Sequence, residues 1–290
     1  MPSTPVVVLD STLTSIANAI RSKTGESATM APGQMPAQIA SIPTGTLGIP
    51  REVDANGVYG MPAQSFSFSL PANATDIGGY ALSRAFYGCI GITSADFGLI
   101  TEISGGYALN YAFYECTNLA SVNFGSLVAI SERSALQYAF RGCSSISQIN
   151  FPSLTTISGN NAFNYAFYGC TSLASINLSA LSTISGSSVM SNAFENCANL
   201  VSVNFASLST ISGGNALSYA FSGCTSLTSI SFPALTADSF TGTVVNQLAG
   251  LVGGVTGCTL HFPAAAQTKI ETLTGYPNFG GTNTTVLFDL

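Results

Sequence analysis

The chain has 290 residues, 13 acidic and 7 basic side chains and a single His, and its charged fraction is 7%, where an ordinary soluble domain carries about 25%. A net charge of −6 argues against nucleic acid and anionic membrane surfaces, both of which require clustered Lys and Arg. One His without a Cys/His cluster argues against a zinc site and weakens every His-based acid–base or nucleophilic scheme, so no cofactor, no metal and no enzymatic activity are expected.

The N-terminal run MPSTPVVVLDST has no basic start and too short an apolar stretch for a secretory signal. The least polar long stretch, 244–260, contains Asn246, Gln247 and Thr256 among its glycines, so no membrane insertion is expected. Folding inside a cytoplasm, without export by the usual route, is therefore expected. Residues 1–48 are read as a small helical attachment module. Leu13, Ile16, Ala17 and Ile20 space as one helix face, with Asp10 or Ser11 as cap and Gly25 beyond the end. A second start lies at Thr29 and leads to Met35, Ile39 and Ile42, with Pro36 limiting its regularity. Pieces this small cannot bury a core alone, which predicts a partner or self-association.

The strings LTSIANAIRSKTG and MAPGQMPAQIASIPTG resemble a short module of prophage tail and minor structural proteins. That resemblance implies attachment to other virion or tail proteins through residues 1–48. It also implies a homo-oligomer, with a trimer as first expectation because tail-fibre assemblies are often threefold. Residues 49–80 are read as a linker with cap strands, SFSFSL at 65–70 sealing the first repeat.

Self-similarity governs residues 81–242. Ala-Phe recurs at Phe86, Phe113, Phe140, Phe167, Phe194 and Phe221, in steps of 27 residues, and a Cys follows each Phe by three positions, from Cys89 to Cys224. One unit reads ALNYAFYECTNLASVNFGSLVAISERS, residues 108–134. The part after Cys, such as LASVNF, alternates as a strand does. A second apolar stretch, SLVAI or SLTTI, ends at a turn such as Ser158-Gly159. In the ALxYAFxGC part, Leu109, Ala112, Phe113 and Cys116 have spacings that fit one or two helical turns. One unit cannot bury its own apolar side, whereas stacked units can. The predicted fold is therefore a β-rich α/β solenoid of six 27-residue rungs, with residues 243–290 as an irregular C-terminal cap. The first unit, with Ile90-Gly91-Ile92 and Ala95, reads as a worn rung beside the cap.

The pattern AFxxC-xxLxxIxF-xxLxxI resembles the BspA-like leucine-rich repeats of bacterial surface and bacteriophage proteins. The resemblance implies a curved right-handed solenoid with a parallel sheet on one face, and a binding role without catalysis.

Three repeated columns are candidates for function. The Cys column reads as a buried, reduced ladder of small apolar side chains; Cys258 lies outside it without an evident partner. Asn123, Asn150, Asn177 and Asn204 fall between inward strand positions, which predicts a polar sheet face, either merely solvated or hydrogen-bonding a glycan or protein loop. Tyr111, Tyr138, Tyr165 and Tyr219 form one Tyr column and Tyr87, Tyr114 and Tyr168 another. The second also accepts Arg141, Glu195 and Ser222, so it is the better contact candidate.

Three non-enzymatic functions are compatible with these features. The first is a bacteriophage tail-associated adhesin or receptor-binding protein, resident in the virion, whose solenoid contacts a host surface glycan or protein. The second is a structural virion component, capsid-decorating or fibre-spacing. The third is a bacterial surface adhesin of the same repeat family.

Overall fold

The computed structural model describes residues 52–53, 59–60, 66–70, 75–241 and 246–290. The attachment module read at residues 1–48, with its expected helices, lies outside the described residues. A two-residue antiparallel pair, β1 (Glu52–Val53) and β2 (Tyr59–Gly60), precedes the repeats. The strands that follow form two sheets and alternate between them from β4 to β16: β3 (Phe66–Ser69), β4 (Ile92–Asp96), β5 (Glu102–Ile103), β6 (Ser121–Asn123), β7 (Ala129–Ile130), β8 (Gln148–Asn150), β9 (Thr156–Ile157) and β10 (Ser175–Asn177). They continue as β11 (Thr183–Ile184), β12 (Ser202–Asn204), β13 (Thr210–Ser212), β14 (Ser229–Ser231), β15 (Phe240–Thr241), β16 (Thr259–His261) and β17 (Thr285–Leu287).

The larger sheet has nine strands in the order β3-β4-β6-β8-β10-β12-β14-β16-β17, and the smaller has six, β5-β7-β9-β11-β13-β15. All pairings within both are parallel and join equivalent residues of successive repeats, such as Ile149 with Ile176 and Ile157 with Ile184. Strands of two or three residues suffice because each interior strand is paired on both sides, so every interior rung shares its hydrogen bonds with two neighbours.

The molecule is the stacked solenoid expected from the repeat, and it is longer than six rungs. On the N-terminal side β3 pairs with β4, and Phe68 lies 4.8 Å from Phe86 and 5.6 Å from Phe97, covering the ends of two Phe columns. On the C-terminal side β16 and β17 extend the large sheet. The described part of 243–290 thus adds further rungs, with steps no longer of 27 residues: Ser229 pairs with Thr259, and Thr259 with Thr285.

The expected helical turns do not form. Among the described residues the α-helix is one short piece, α1 (Gln267–Ile270). The segment 107–116 is instead a run of tight turns. Tyr107, Tyr111 and Glu115 have φ of 60°, 54° and 55°, so every fourth residue is left-handed and no helix can propagate. Its amides alternate in direction. Ala112 donates back to Leu109 at 2.9 Å, whereas Phe113 donates to Ala139 of the next rung at 2.8 Å. A four-residue cycle of this kind brings residues 108, 109, 112, 113 and 116 inward, a set that coincides with a helix face.

The core runs as columns through the stack. Phe86, Phe113, Phe140, Phe167, Phe194 and Phe221 are fully buried and stack with centroids 4.9–5.5 Å apart. A second column, Phe97, Phe124 and Phe151, is interrupted by Leu178 and resumes at Phe205, Phe232 and Phe262. The smaller sheet lines the same core with Ile103, Ile130, Ile157, Ile184 and Ile211, all buried. After β9 the chain needs Gly at 159: a Cβ there would lie 2.0 Å from the carbonyl oxygen of Glu132, which holds the same position of the preceding rung.

Candidate binding face

Each column singled out in the sequence has a definite place. The cysteines are buried and unpaired as thiols. The thiols of Cys116, Cys143, Cys170, Cys197 and Cys224 each donate to the carbonyl of the Phe 30 residues earlier, at 2.9–3.2 Å. The column is therefore a hydrogen-bonded ladder and not only a run of small apolar groups. Burial pushes the thiols of Cys143, Cys170 and Cys197 well above their ordinary range, and that of Cys224 to about 12. Such thiols are protonated and inert at neutral pH. Cys258 is buried one residue before β16, and burial raises it to about 11.

The Asn column is a local structural device. The side-chain carbonyl of Asn123 accepts the amide of Gly125 at 2.9 Å, and Asn177 accepts that of Ser179 at 3.1 Å. Asp96 does the same for Gly98 at 2.8 Å and also accepts from the Asn123 side-chain amide at 2.9 Å. These are Asx turns that end β4, β6 and β10 of the large sheet. Asn150 departs from them, because the residue two positions on is Pro152, which has no amide hydrogen. Asn150 and Asn204 are exposed.

Tyr side chains leave the turn segment of the rung, at the outward positions of its cycle. Tyr111, Tyr138 and Tyr165 stack with centroids 4.6 and 4.9 Å apart. Tyr87 and Tyr114 stack at 4.7 Å with planes 5° apart. The two columns touch: Tyr111 is 5.6 Å from Tyr114, and Tyr165 is 5.8 Å from Tyr168. What the sequence presents as separate columns is one continuous aromatic face.

Arg residues interleave with the rings, a feature that reading the columns separately did not find. The Arg141 guanidinium lies 4.6 Å from the Tyr168 ring centroid, 5.5 Å from Tyr114 and 5.9 Å from Tyr138. Arg84 stacks over Tyr111 at 5.4 Å, and Arg133 over Tyr107 at 5.1 Å. Cation–π contacts contribute about 0.5–1 kcal/mol each at exposed sites and more when desolvated. Arg84 occupies the repeat position of Tyr111 and Arg141 that of Tyr114, one repeat apart in each case. The internal pattern could have shown this, since a cation spaced like the rings must stack on its neighbours.

Partial burial and the neighbouring phenols of Tyr111 and Tyr165 push the Tyr138 hydroxyl above its ordinary pKa, with Arg141 pulling back. For Tyr165, partial burial and Glu195 do the same. Both remain neutral donors at physiological pH. Beside the rings a polar ladder holds adjacent rungs in register: Asn110 Nδ2 donates to the Gln137 carbonyl at 3.2 Å, Gln137 Nε2 to Asn164 Oδ1 at 3.1 Å, and Asn164 Nδ2 to the Ser191 carbonyl at 2.9 Å. Among the described residues no group of three or more His, Cys, Asp or Glu is placed to hold a metal ion.

The Tyr positions predicted as contacts, Tyr87, Tyr114 and Tyr168, belong to this face, whereas Asn123, Asn150, Asn177 and Asn204 end the strands of the large sheet. The structure does not bring the two sets together.

Among solved structures, a leucine-rich repeat protein of T. pallidum is similar over 81% of this chain and 95% of its own, at 22% identity and a TM-score of 0.43. A leucine-rich cell surface protein of Faecalibacterium prausnitzii A2-165 is similar over 81% of this chain and 92% of its own, at 13% identity and a TM-score of 0.27. No curated protein matches the chain in sequence. The BspA type leucine rich repeat region matches in six copies, over residues 63–164, 111–212 and 164–238. With its register of Phe, Cys and Ile columns accounted for rung by rung, the chain belongs to the BspA-type leucine-rich repeat family.

Proposed function

We propose that this protein is a non-enzymatic adhesin that binds a cell-surface glycan or protein through the turn face of its solenoid. The observation that carries the reading is the stacked Tyr–Arg array. Tyr and Arg are among the side chains most enriched at binding hot spots, and here seven of them, Tyr87, Tyr111, Tyr114, Tyr138, Arg141, Tyr165 and Tyr168, are held by face-to-face stacking along the columns and side contacts between them. Rings fixed in this way lose little entropy on binding. The family supports a surface location on a bacterium. A second reading, adhesion from a bacteriophage tail, is favoured by the strings LTSIANAIRSKTG and MAPGQMPAQIASIPTG, with residues 1–48 attaching the chain to other virion proteins or to further copies of itself.

The test is adsorption to host or neighbouring cells. The double change Tyr114→Ala and Tyr168→Ala is expected to weaken adsorption, since truncating one hot-spot side chain typically costs about 2 kcal/mol or more. Changing Asn150 and Asn177 is expected to leave it intact. Unchanged adsorption in the Tyr variant, with the fold intact, would leave the solenoid as a spacer. Antibody-labelled electron microscopy of cells and particles separates the two locations.

A further inference from the structure

The chain is acidic overall, yet three of the four basic residues between 75 and 290, Arg84, Arg133 and Arg141, stack on Tyr rings. Among the described residues, the guanidinium contacts are those with the rings: none of the three donates a hydrogen bond or stands within ion-pair reach of a carboxylate, the ion pair being His261–Asp289. Arg141 has Tyr rings of the rungs before and after it, Tyr114 and Tyr168, and Arg84 has one, Tyr111; the guanidinium N–H groups, which make no hydrogen bond within the chain, form a fork that matches a carboxylate with two parallel hydrogen bonds.

The rings impose a second condition. Each stacked Tyr covers its neighbour's face, with planes 5–16° apart along the columns. A sugar cannot lie flat on a covered ring, so the face offers ring edges and hydroxyls. Tyr138 and Tyr165 hydroxyls make no hydrogen bond among the described residues and remain neutral donors. The partner therefore carries many hydroxyls and few anions. Dense negative charge is disfavoured, because Glu115 sits against Tyr114 and Glu195 close to Tyr165. Arg84 and Arg141 belong to rungs two apart, about 10 Å along the stack from strand spacing. A β-linked pyranose chain advances by close to one rung per sugar, so an anion on alternate sugars matches that separation.

Resting on the adhesive reading of this face, we propose that its ligand is an acidic glycan with one carboxylate per two sugars, lying along the solenoid with its carboxylates on Arg84 and Arg141. The sugar between them lies at the rung of Tyr111 and Tyr114, and hydroxyls of the sugars at and beyond Arg141 meet the Tyr138 and Tyr165 edges. The two guanidiniums set the charge requirement.

The experiment measures binding of the full chain to hyaluronan oligosaccharides, which carry a carboxylate on alternate sugars. Neutral cello-oligosaccharides of equal length, poly-glutamate and single-stranded DNA are the comparisons. Hyaluronan is expected to bind best, and Arg141→Gln to weaken it about tenfold or more through loss of a charge-assisted pair. Arg141→Lys should recover only part of the loss, because the fork is gone. Should Arg141→Gln melt early, the exposed Arg84→Gln carries the same test. Equal binding of the neutral oligosaccharide, stronger binding of poly-glutamate or DNA, or undiminished binding by a folded Arg→Gln variant overturns the proposal. Loss of cell adsorption in the Tyr114/Tyr168 variant without hyaluronan binding overturns only the acidic ligand, whereas unchanged adsorption in that variant overturns the adhesive reading itself.

Discussion

Two ladders of aromatic rings leave the same turn segment in opposite directions. The inner one, Phe86 to Phe221, has Phe on all six rungs and is fully buried. The outer one, beginning at Tyr87, has Tyr, Tyr, Arg141, Tyr168, Glu195 and Ser222 on the same six rungs. Both stack with nearly the same spacing, 4.9–5.5 Å inside and 4.7 Å between Tyr87 and Tyr114. Stacking distance is therefore set by the strand ladder and not by the rings, and it says nothing about which ladder stabilises the fold. What differs is the surroundings. An inner ring is enclosed by the rungs on either side and by both sheets, so its removal leaves a void, whereas an outer ring is replaced by water.

The largest expected effect is in the inner ladder. Phe167→Ala should cost about 3–5 kcal/mol, the range for deleting a core aromatic, read from the denaturant midpoint at constant slope. A variant as stable as the parent would dissolve the distinction between the two ladders. Tyr114→Ala with Tyr168→Ala, measured in the same way, should cost about 1–2 kcal/mol, the two cation–π contacts with Arg141 being lost.

Alkaline pH should sharpen the contrast next, because the Cys ladder belongs to the enclosed side. The thiols' folded-state pKa values lie above 9.0, with Cys258 at about 11 and Cys224 at about 12. A raised folded pKa means that the folded state holds its proton longer. The stabilisation is therefore complete below about pH 9 and is lost as pH climbs towards the folded values. The denaturant midpoint should fall between about pH 8 and pH 11, and thiol-alkylating reagents should react only as unfolding proceeds. A flat midpoint, or seven thiols modified in the folded protein, would break the assignment.

The smallest effect separates two residues of one column. Asn177→Ala removes the acceptor for the Ser179 amide and should cost about 1 kcal/mol. Asn150→Ala has no such amide to release, because Pro152 stands there, and should cost less. Equal losses would show that the side chains act by something other than the turn.

The stacking direction and the rung length were readable because Phe and Cys recur without insertion across six units. The turn segment was misread because its four-residue cycle brings Leu109, Ala112, Phe113 and Cys116 inward, the same set that a helix would bury. Only the left-handed backbone of Tyr107, Tyr111 and Glu115 distinguishes the two, and Tyr gives no sign of that conformation as Gly would. The smaller sheet escaped notice because two residues per strand are too few for alternation to register. The rungs at β3, β16 and β17 lack the Ala-Phe–Cys signature, and β16 and β17 also depart from the 27-residue step, so they read as caps. Of the candidate contacts, the Tyr positions could be placed outward from their tolerance of Arg, Glu and Ser. Their merger into one face depends on Tyr111 and Tyr114 lying side by side around a turn. The Asn positions were read as outward-facing, while the Asx bond that occupies Asn123 depends on the amide two residues later.

The unbroken 27-residue step over six units has a consequence for how such a protein changes over generations. Pairing is in register between equivalent residues, so a crossover between any two repeats in the gene inserts or deletes a whole rung and keeps the Phe, Cys and Ile columns of the interior in register. The Phe, Ile and Cys columns simply lengthen or shorten, and the terminal rungs still meet the surfaces they met before. The span of the outer face, and with it the number of ligand units it can engage, can therefore vary in discrete steps without any compensating change in the interior.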